Sequence, residues 1–341
     1  MTSARHAFTV VLAGALALLA SDTAMAGVDA DPVTSDIAAL AKTGAGSTGV
    51  VGVAAWRLDG TGPSVLLNPD ARFPMASTFK VAVAGAVLKR VDDGSVSLDR
   101  MIPITLDEMV DSEVIQDRFI HPGVSLSVYN LLELMLTESD NTATDVMLRL
   151  AGGPAAVNAW VRAQGVDAFS VDGGTDEIIR RYYGVSADAG PFHQAMVAKF
   201  AAHPELARLD NGPNPAFDND LRDSTSPRAM GHLLTRIWSG AALLPASNKI
   251  LIAMMGRCRT GAGRLRGQMP ADSPVAHKTG TIGGTVNDVG VVTLPGKAGQ
   301  VVLAVFIKGS DATMDQREQT IAQIGRSVRD YFLFRNADTR P

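Results

Sequence analysis

Strand-like apolar runs stand near both ends of this 341-residue chain, and helical periodicity fills the long stretch between them. Residues 50–58 form one such run, with 64–67 as a hairpin partner. Residues 275–281, 286–294 and 301–307 form three more, separated by glycine-rich turns. Residues 33–43 read as a first helix and 316–334 as a closing one. From Ser77 the pattern turns helical. Val81, Ala82, Ala84, Val87 and Leu88 leave hardly any polar side, which marks a helix buried all round. The period continues over 127–151, with Leu131, Leu132, Met135 and Leu136 inward, and over 154–164, 191–201 and 226–238. Residues 210–220, with Gly212, Pro213 and Pro215, read as a surface loop. The expectation is an α+β fold: an antiparallel sheet built from both chain ends, flanked by the terminal helices, with an all-α domain inserted. The boundaries expected are 27–75 and 233–341 for the sheet domain and 76–232 for the helical one.

The first residues have the form of an export signal. Arg5 and His6 open it, an apolar run covers 7–20, and Ala24-Met25-Ala26 is a small-residue cleavage site before Gly27. The run is too short for a membrane span. A signal peptide over 1–26 predicts a periplasmic or secreted protein with no stable membrane insertion after cleavage. Hydrophobic residues make up 46% and charged residues 19%, an ordinary globular balance. A net charge of -4 with no basic cluster argues against a nucleic-acid partner. The single cysteine, Cys258, cannot close an internal disulfide and reads as an inert, partly buried thiol. The six histidines show no close ligand pairing, so no metal is expected, nor any cofactor. Gly44 to Gly49 matches G-x-G-x-x-G, but it follows a helix and precedes a strand, the reverse of a dinucleotide site. No G-x-S-x-G elbow occurs. Nothing demands an oligomer, and a monomer is expected.

Three short polar constellations interrupt the apolar pattern. The first is Ser77-Thr78-Phe79-Lys80 at the start of the buried helix. Residues three apart share a helix face, so Lys80 can bring its amine beside the Ser77 hydroxyl. A hydroxyl attacks only when a base takes its proton, and burial makes a lysine amine such a base. Free N–H groups at a helix start can also hold an oxyanion. Alone, the pattern equally fits a helix cap with an exposed lysine. The second is Ser139-Asp140-Asn141, which breaks a helical stretch. Ser139 can relay a proton and Asn141 can hold a substrate amide, although a simple cap at a loop has the same composition. The third is Lys278-Thr279-Gly280, on a strand. It offers a positive charge to an anion and a glycine that lets a ligand reach the backbone, and Thr281 follows with an N–H and a hydroxyl. An edge-strand lysine that blocks aggregation would look the same.

The three in this order and spacing resemble the motif set of the class A β-lactamases and penicillin-binding proteins, and the resemblance covers nearly the whole mature chain. Thr225-Ser226-Pro227-Arg228 resembles the segment leading back to the sheet domain. Thr260-Gly261 through Arg264, Arg266 and Pro270 resembles the stretch before the Lys-Thr-Gly strand, and Asn287-Asp288 the start of the next strand. The resemblance implies a β-lactam substrate, an acyl-enzyme on Ser77, and Lys80 as a candidate base. It implies an oxyanion held by the N–H groups of Ser77 and Thr281, and a proton relayed by Ser139. Asn141, Lys278, Thr279, Gly280, Thr281 and Arg264 would line the substrate site.

One departure stands out. The family hydrolyses its acyl-enzyme with water held by a loop Glu and Asn. Counting from Ser139, those positions fall on Thr175 and Ile179. Asp176 is adjacent, and Glu177, two residues on, could serve the water after a loop shift. The departure keeps two alternatives open: a related hydrolase of the D-alanyl-D-alanine peptidase kind, and a penicillin-binding sensor that acylates and stalls.

Overall fold

The structure, a computed structural model, describes residues 32–335 apart from 113 and 120, and these belong to one compact unit. The expected signal peptide lies outside the described residues.

The strands, in chain order, are β1 (Val50–Arg57), β2 (Val65–Leu67), β3 (Phe73–Pro74), β4 (Met101–Ile104), β5 (Val124–Ser127), β6 (Ser224–Thr225), β7 (Val275–Ile282), β8 (Thr285–Thr293) and β9 (Gln300–Lys308). Five of them form one sheet in the order β2-β1-β9-β8-β7, every pairing antiparallel. The helices are α1 (Pro32–Ala45), α2 (Lys80–Asp92), α3 (Ile115–Arg118), α4 (Val128–Thr137), α5 (Asn141–Ala151), α6 (Gly153–Ala163), α7 (Thr175–Tyr183), α8 (Phe192–Ala202), α9 (Pro215–Asp218), α10 (Pro227–Trp238), α11 (Pro245–Gly256) and α12 (Met314–Arg335).

Period-two alternation gives the sheet two apolar faces. Val301, Leu303, Val305 and Ile307 of β9 pack with Ile37 of α1 and Ile321, Ile324 and Val328 of α12. Val302, Ala304 and Phe306 face the other way, into the core shared with α2, α4, α5, α10 and α11. Covered on both sides, the central strands read as continuous apolar runs. Helix α2 runs through the second core, with every residue from Lys80 to Leu88 buried. It meets α6 so closely that a Cβ on Gly85 would fall 2.1 Å from the Trp160 ring.

The α+β class and the sheet drawn from both ends are as expected. Several details differ. The stretch 76–232 is not purely helical: it contains the β4–β5 pair, and β6 pairs with β3. The helical period over 127–151 covers two helices, α4 and α5, because Asp140 caps the second with its side chain on the Ala143 N–H. Helices α7 and α11 lie outside the stretches whose periodicity stood out, and the 210–220 loop holds the short turn α9.

Candidate active site

The Ser77 motif is held from both sides. Asn287 on β8 donates from Nδ2 to the carbonyls of Pro74 (2.9 Å) and Met75 (3.0 Å), and the Met75 N–H donates to the Asp223 carbonyl. Between these anchors Ala76 takes φ +44°, a left-handed conformation that costs a non-glycine residue about 1–3 kcal/mol unless its surroundings enforce it. A 3₁₀ turn, Ala76–Phe79, then leads into α2. In such a turn side chains three apart eclipse, so Lys80 lies on the side of Ser77.

The second motif supplies the facing wall. Ser139 sits at φ +61° in the break between α4 and α5. Asp140 clamps that break. It accepts the Ala143 N–H (2.7 Å), the Ser112 hydroxyl (2.8 Å) and the Ile115 N–H (2.9 Å). The strained turn points Ser139 and Asn141 at α2. Lys80 Nζ donates to the Ser139 carbonyl (2.7 Å), the Ser139 hydroxyl (3.2 Å) and Asn141 Oδ1 (2.9 Å).

The third motif closes the site. From β7, Lys278 Nζ donates to the Ser139 hydroxyl at 2.9 Å and to the Thr279 carbonyl at 2.9 Å. Ser139 Oγ is therefore bracketed by two buried amines. Burial first, and the charge of Lys278 second, hold Lys80 well below its ordinary pKa. Burial pushes Lys278 down to about 8, with the Arg264 charge adding to the shift and Cys258 and Asp288 opposing it. Next along β7, a Cβ on Gly280 would lie 2.6 Å from the Met75 carbonyl oxygen and 3.0 Å from the Ser77 nitrogen. Only glycine lets β7 approach Ser77 this closely, which sets the N–H groups of Ser77 and Thr281 beside one cleft.

That cleft, about 340 Å³, is lined by Ser77, Ser139, Asn141, Thr279, Gly280, Thr281 and Arg264, with Asp111 and Glu138 at its border. Arg264 is buried and largely committed to the protein. It donates to the Gly280 and Asn287 carbonyls and to the Thr281 hydroxyl (2.7 Å), and pairs with Glu318 at 3.0 Å. Glu177 is not brought to the cleft. It is exposed on the first turn of α7, where its carboxylate accepts the Gly174 N–H (2.9 Å), and it borders a separate surface hollow. The loop shift that would have carried Glu177 inward does not occur, because this cap fixes it outside. Thr175 stands there instead, lining a second cavity of about 70 Å³ together with Ser77 and Asn141.

Three features escaped sequence reasoning. Asp145 lies one turn after Asn141 on α5, a spacing that was visible, and it binds Thr175. Thr260 reaches Thr279 through a short hydroxyl–hydroxyl bond, a pairing no local pattern encodes. Behind Lys278, the buried His277 donates from its ring to Asp288 (2.8 Å). Burial alone would lower the His277 pKa, but Asp288 and Cys258 raise it to about 9. Burial would raise the Cys258 thiol, but His277 and Lys278 bring it down to about 7.

Fold and site together fit a serine hydrolase of the acyl-transfer kind: a serine at a helix start, desolvated amines around it and paired N–H groups beside it. The model of the β-lactamase enzyme family matches residues 32–332. The chain is 28% identical over 296 residues to the extended-spectrum β-lactamase PER-1 of Pseudomonas aeruginosa, covering 84% of each protein. Among solved structures, an ancestral Gram-negative class A β-lactamase superposes with a TM-score of 0.71 at 35% identity, over 88% of this chain and 99% of that one. A β-lactamase from Chitinophaga pinensis gives 0.71 at 31%, again over 88% and 99%. The chain belongs to the β-lactamase enzyme family, in its class A serine branch.

Proposed function

We propose that this protein hydrolyses β-lactams through an acyl-enzyme on Ser77. The observation that carries the reading is the convergence of Lys80 and Lys278 on Ser139 beside Ser77. Lys80, its pKa lowered by burial and by the Lys278 charge, takes the Ser77 proton as Oγ attacks the lactam carbonyl. The N–H groups of Ser77 and Thr281 receive the oxyanion. The lactam C–N bond breaks as Ser139 gives its proton to the ring nitrogen, and Lys80 returns a proton to Ser139. The substrate carboxylate meets the Thr279 and Thr281 hydroxyls and the charge of Lys278. Arg264 holds the Thr281 hydroxyl in place and adds positive field behind it. Asn141, fixed by Lys80 and by its own donation to the Asp111 carbonyl, offers its remaining amide hydrogen to the substrate side chain.

Export to the periplasm or exterior, as a monomer, fits the signal-like leader and the location of β-lactam targets. No helix among the described residues is long and apolar enough to cross a membrane.

Purified mature protein is expected to open nitrocefin with turnover. In intact-mass spectrometry a penicillin adduct on Ser77 should appear and decay. No ring opening and no adduct would overturn the reading, and a lasting adduct would make the protein a binder that stalls.

A further inference from the structure

We propose that Thr175 and Asp145 together form the proton acceptor for deacylation, taking the place of the loop carboxylate. The inference rests on the Ser77 acyl-enzyme of the preceding section. The Thr175 hydroxyl lies 2.7 Å from Asp145 Oδ1 and 3.1 Å from the Asn141 carbonyl, so its single proton goes to the nearer carboxylate. The N–H groups of Thr175 (2.6 Å) and Asp176 (3.0 Å), at the start of α7, also donate to Asp145 and hold it in line. On its far side Thr175 lines the 70 Å³ cavity, where Ser77, Asn141 and Thr281 add polar groups and Phe79, Ile178 and Ile179 form part of the apolar wall. That volume accommodates about two waters at ~30 Å³ each, with enough polar partners to hold them.

Other carboxylates are poorly placed. Asp111 and Glu138 sit at the border of the larger cleft, engaged with His193 and Arg259. Asp140 spends its oxygens on Ala143, Ser112 and Ile115. Asp145 faces Lys80 from α2, Asp176 and Glu177 from α7, and Arg149 one turn on along α5. Burial raises its pKa against the hydrogen bonds and the Lys80 charge, which suits a proton acceptor. Asp145 also borders the open hollow beyond α7.

The step balances. A water in the smaller cavity attacks the ester carbon, and the new C–O bond pushes an electron pair onto the oxyanion. Its proton passes to Thr175 Oγ1 while the Thr175 proton moves to Asp145. When the intermediate collapses, the C–O bond to Ser77 breaks. The proton returns from Asp145 through Thr175 to Ser77 Oγ, restoring the free enzyme and releasing a carboxylic acid.

The test is stopped-flow nitrocefin hydrolysis together with the decay of the penicillin adduct by intact mass. The proteins compared are wild type, Thr175→Val, Thr175→Ser, Asp145→Asn and Glu177→Gln. Thr175→Val keeps the shape and the N–H that caps against Asp145 but removes the relay. The expected result is acylation within about threefold of wild type in all variants, with adduct lifetime lengthened about 100-fold or more in Thr175→Val and Asp145→Asn. Thr175→Ser and Glu177→Gln should decay like wild type. The acid limb of the wild-type deacylation rate should vanish in Asp145→Asn, which a purely structural cap would not bring about. Normal acylation with unchanged decay in Thr175→Val overturns the relay alone, and so does a wild-type adduct that never decays. Failure of wild type to acylate overturns the Ser77 reading and the relay with it.

Discussion

Lys278 and Ser139, 139 residues apart in the chain, meet in a 2.9 Å hydrogen bond between ammonium and hydroxyl. The bond ties the sheet to the helical wall behind the cleft. It also holds a fully buried titrating amine against the cleft-lining Ser139.

Since the Lys278 pKa lies at about 8, its charge is present below that pH and is lost as pH rises through it. For an anionic lactam, kcat/KM should fall about tenfold per pH unit above ~8, because that ratio reports ionisations of the free enzyme. A neutral ester carrying no carboxylate should lack this limb. Parallel pH profiles of the two substrates check the assignment, and identical profiles would remove Lys278 from anion binding.

Ser139 is held at φ +61°, where glycine costs less. Ser139→Gly relieves about 1 kcal/mol of strain but takes away the hydroxyl to which the buried Lys80 and Lys278 amines donate, so the net change in stability should be small. The same change removes the proton relay and should slow acylation about 10²–10⁴-fold. A thermal melt and a single-turnover acylation rate on one variant reveal whether strain and chemistry sit at the same residue.

Gly280→Ala places a methyl against the Met75 carbonyl at 2.6 Å, a backbone atom that cannot rotate away. Strand β7 must shift from Ser77, which separates the paired N–H groups. The expected loss is about 10²–10³ in kcat, the size seen when one oxyanion donor is removed. Comparing kcat with KM tests this, since damage to substrate binding alone would raise KM instead.

The His277–Asp288 pair carries a stability signature. The His277 pKa rises on folding from 6.5 to about 9, so the pair's full contribution is present below 6.5 and is lost as pH rises through ~9. Lys278, depressed on folding, contributes in the opposite sense above ~8. The contrast with His277→Gln isolates the histidine: the variant should lose more Tm at pH 6 than at pH 9. An equal loss at both would show that His277 is not charged in the fold.

Much of the site was legible because its parts are local. Ser77 with Lys80, Ser139 with Asn141, and Lys278 with Gly280 are each fixed by spacings of a few residues on one turn or strand, and their order along the chain identifies the set. The sheet was legible for a similar reason, since β9 is apolar from Val301 to Ile307, the pattern of a strand covered on both faces. Glu177 shows where such reading stops. Its distance along the chain from Thr175 is two residues, yet one points into the cavity and the other caps α7 from outside. Arg264 likewise matched a motif position, but most of its donors are bound to backbone carbonyls and Glu318.

Local periodicity and motif spacing were enough to establish the α+β class and to single out Ser77, Lys80 and Lys278 as one set, because neighbours on one element share a direction whatever surrounds them. The facing of α7 against α5, and with it the contact of Thr175 with Asp145, came only from the folded chain. That facing is set by long-range packing and by hydrogen bonds between residues 30 or more apart, which no run of adjacent residues encodes.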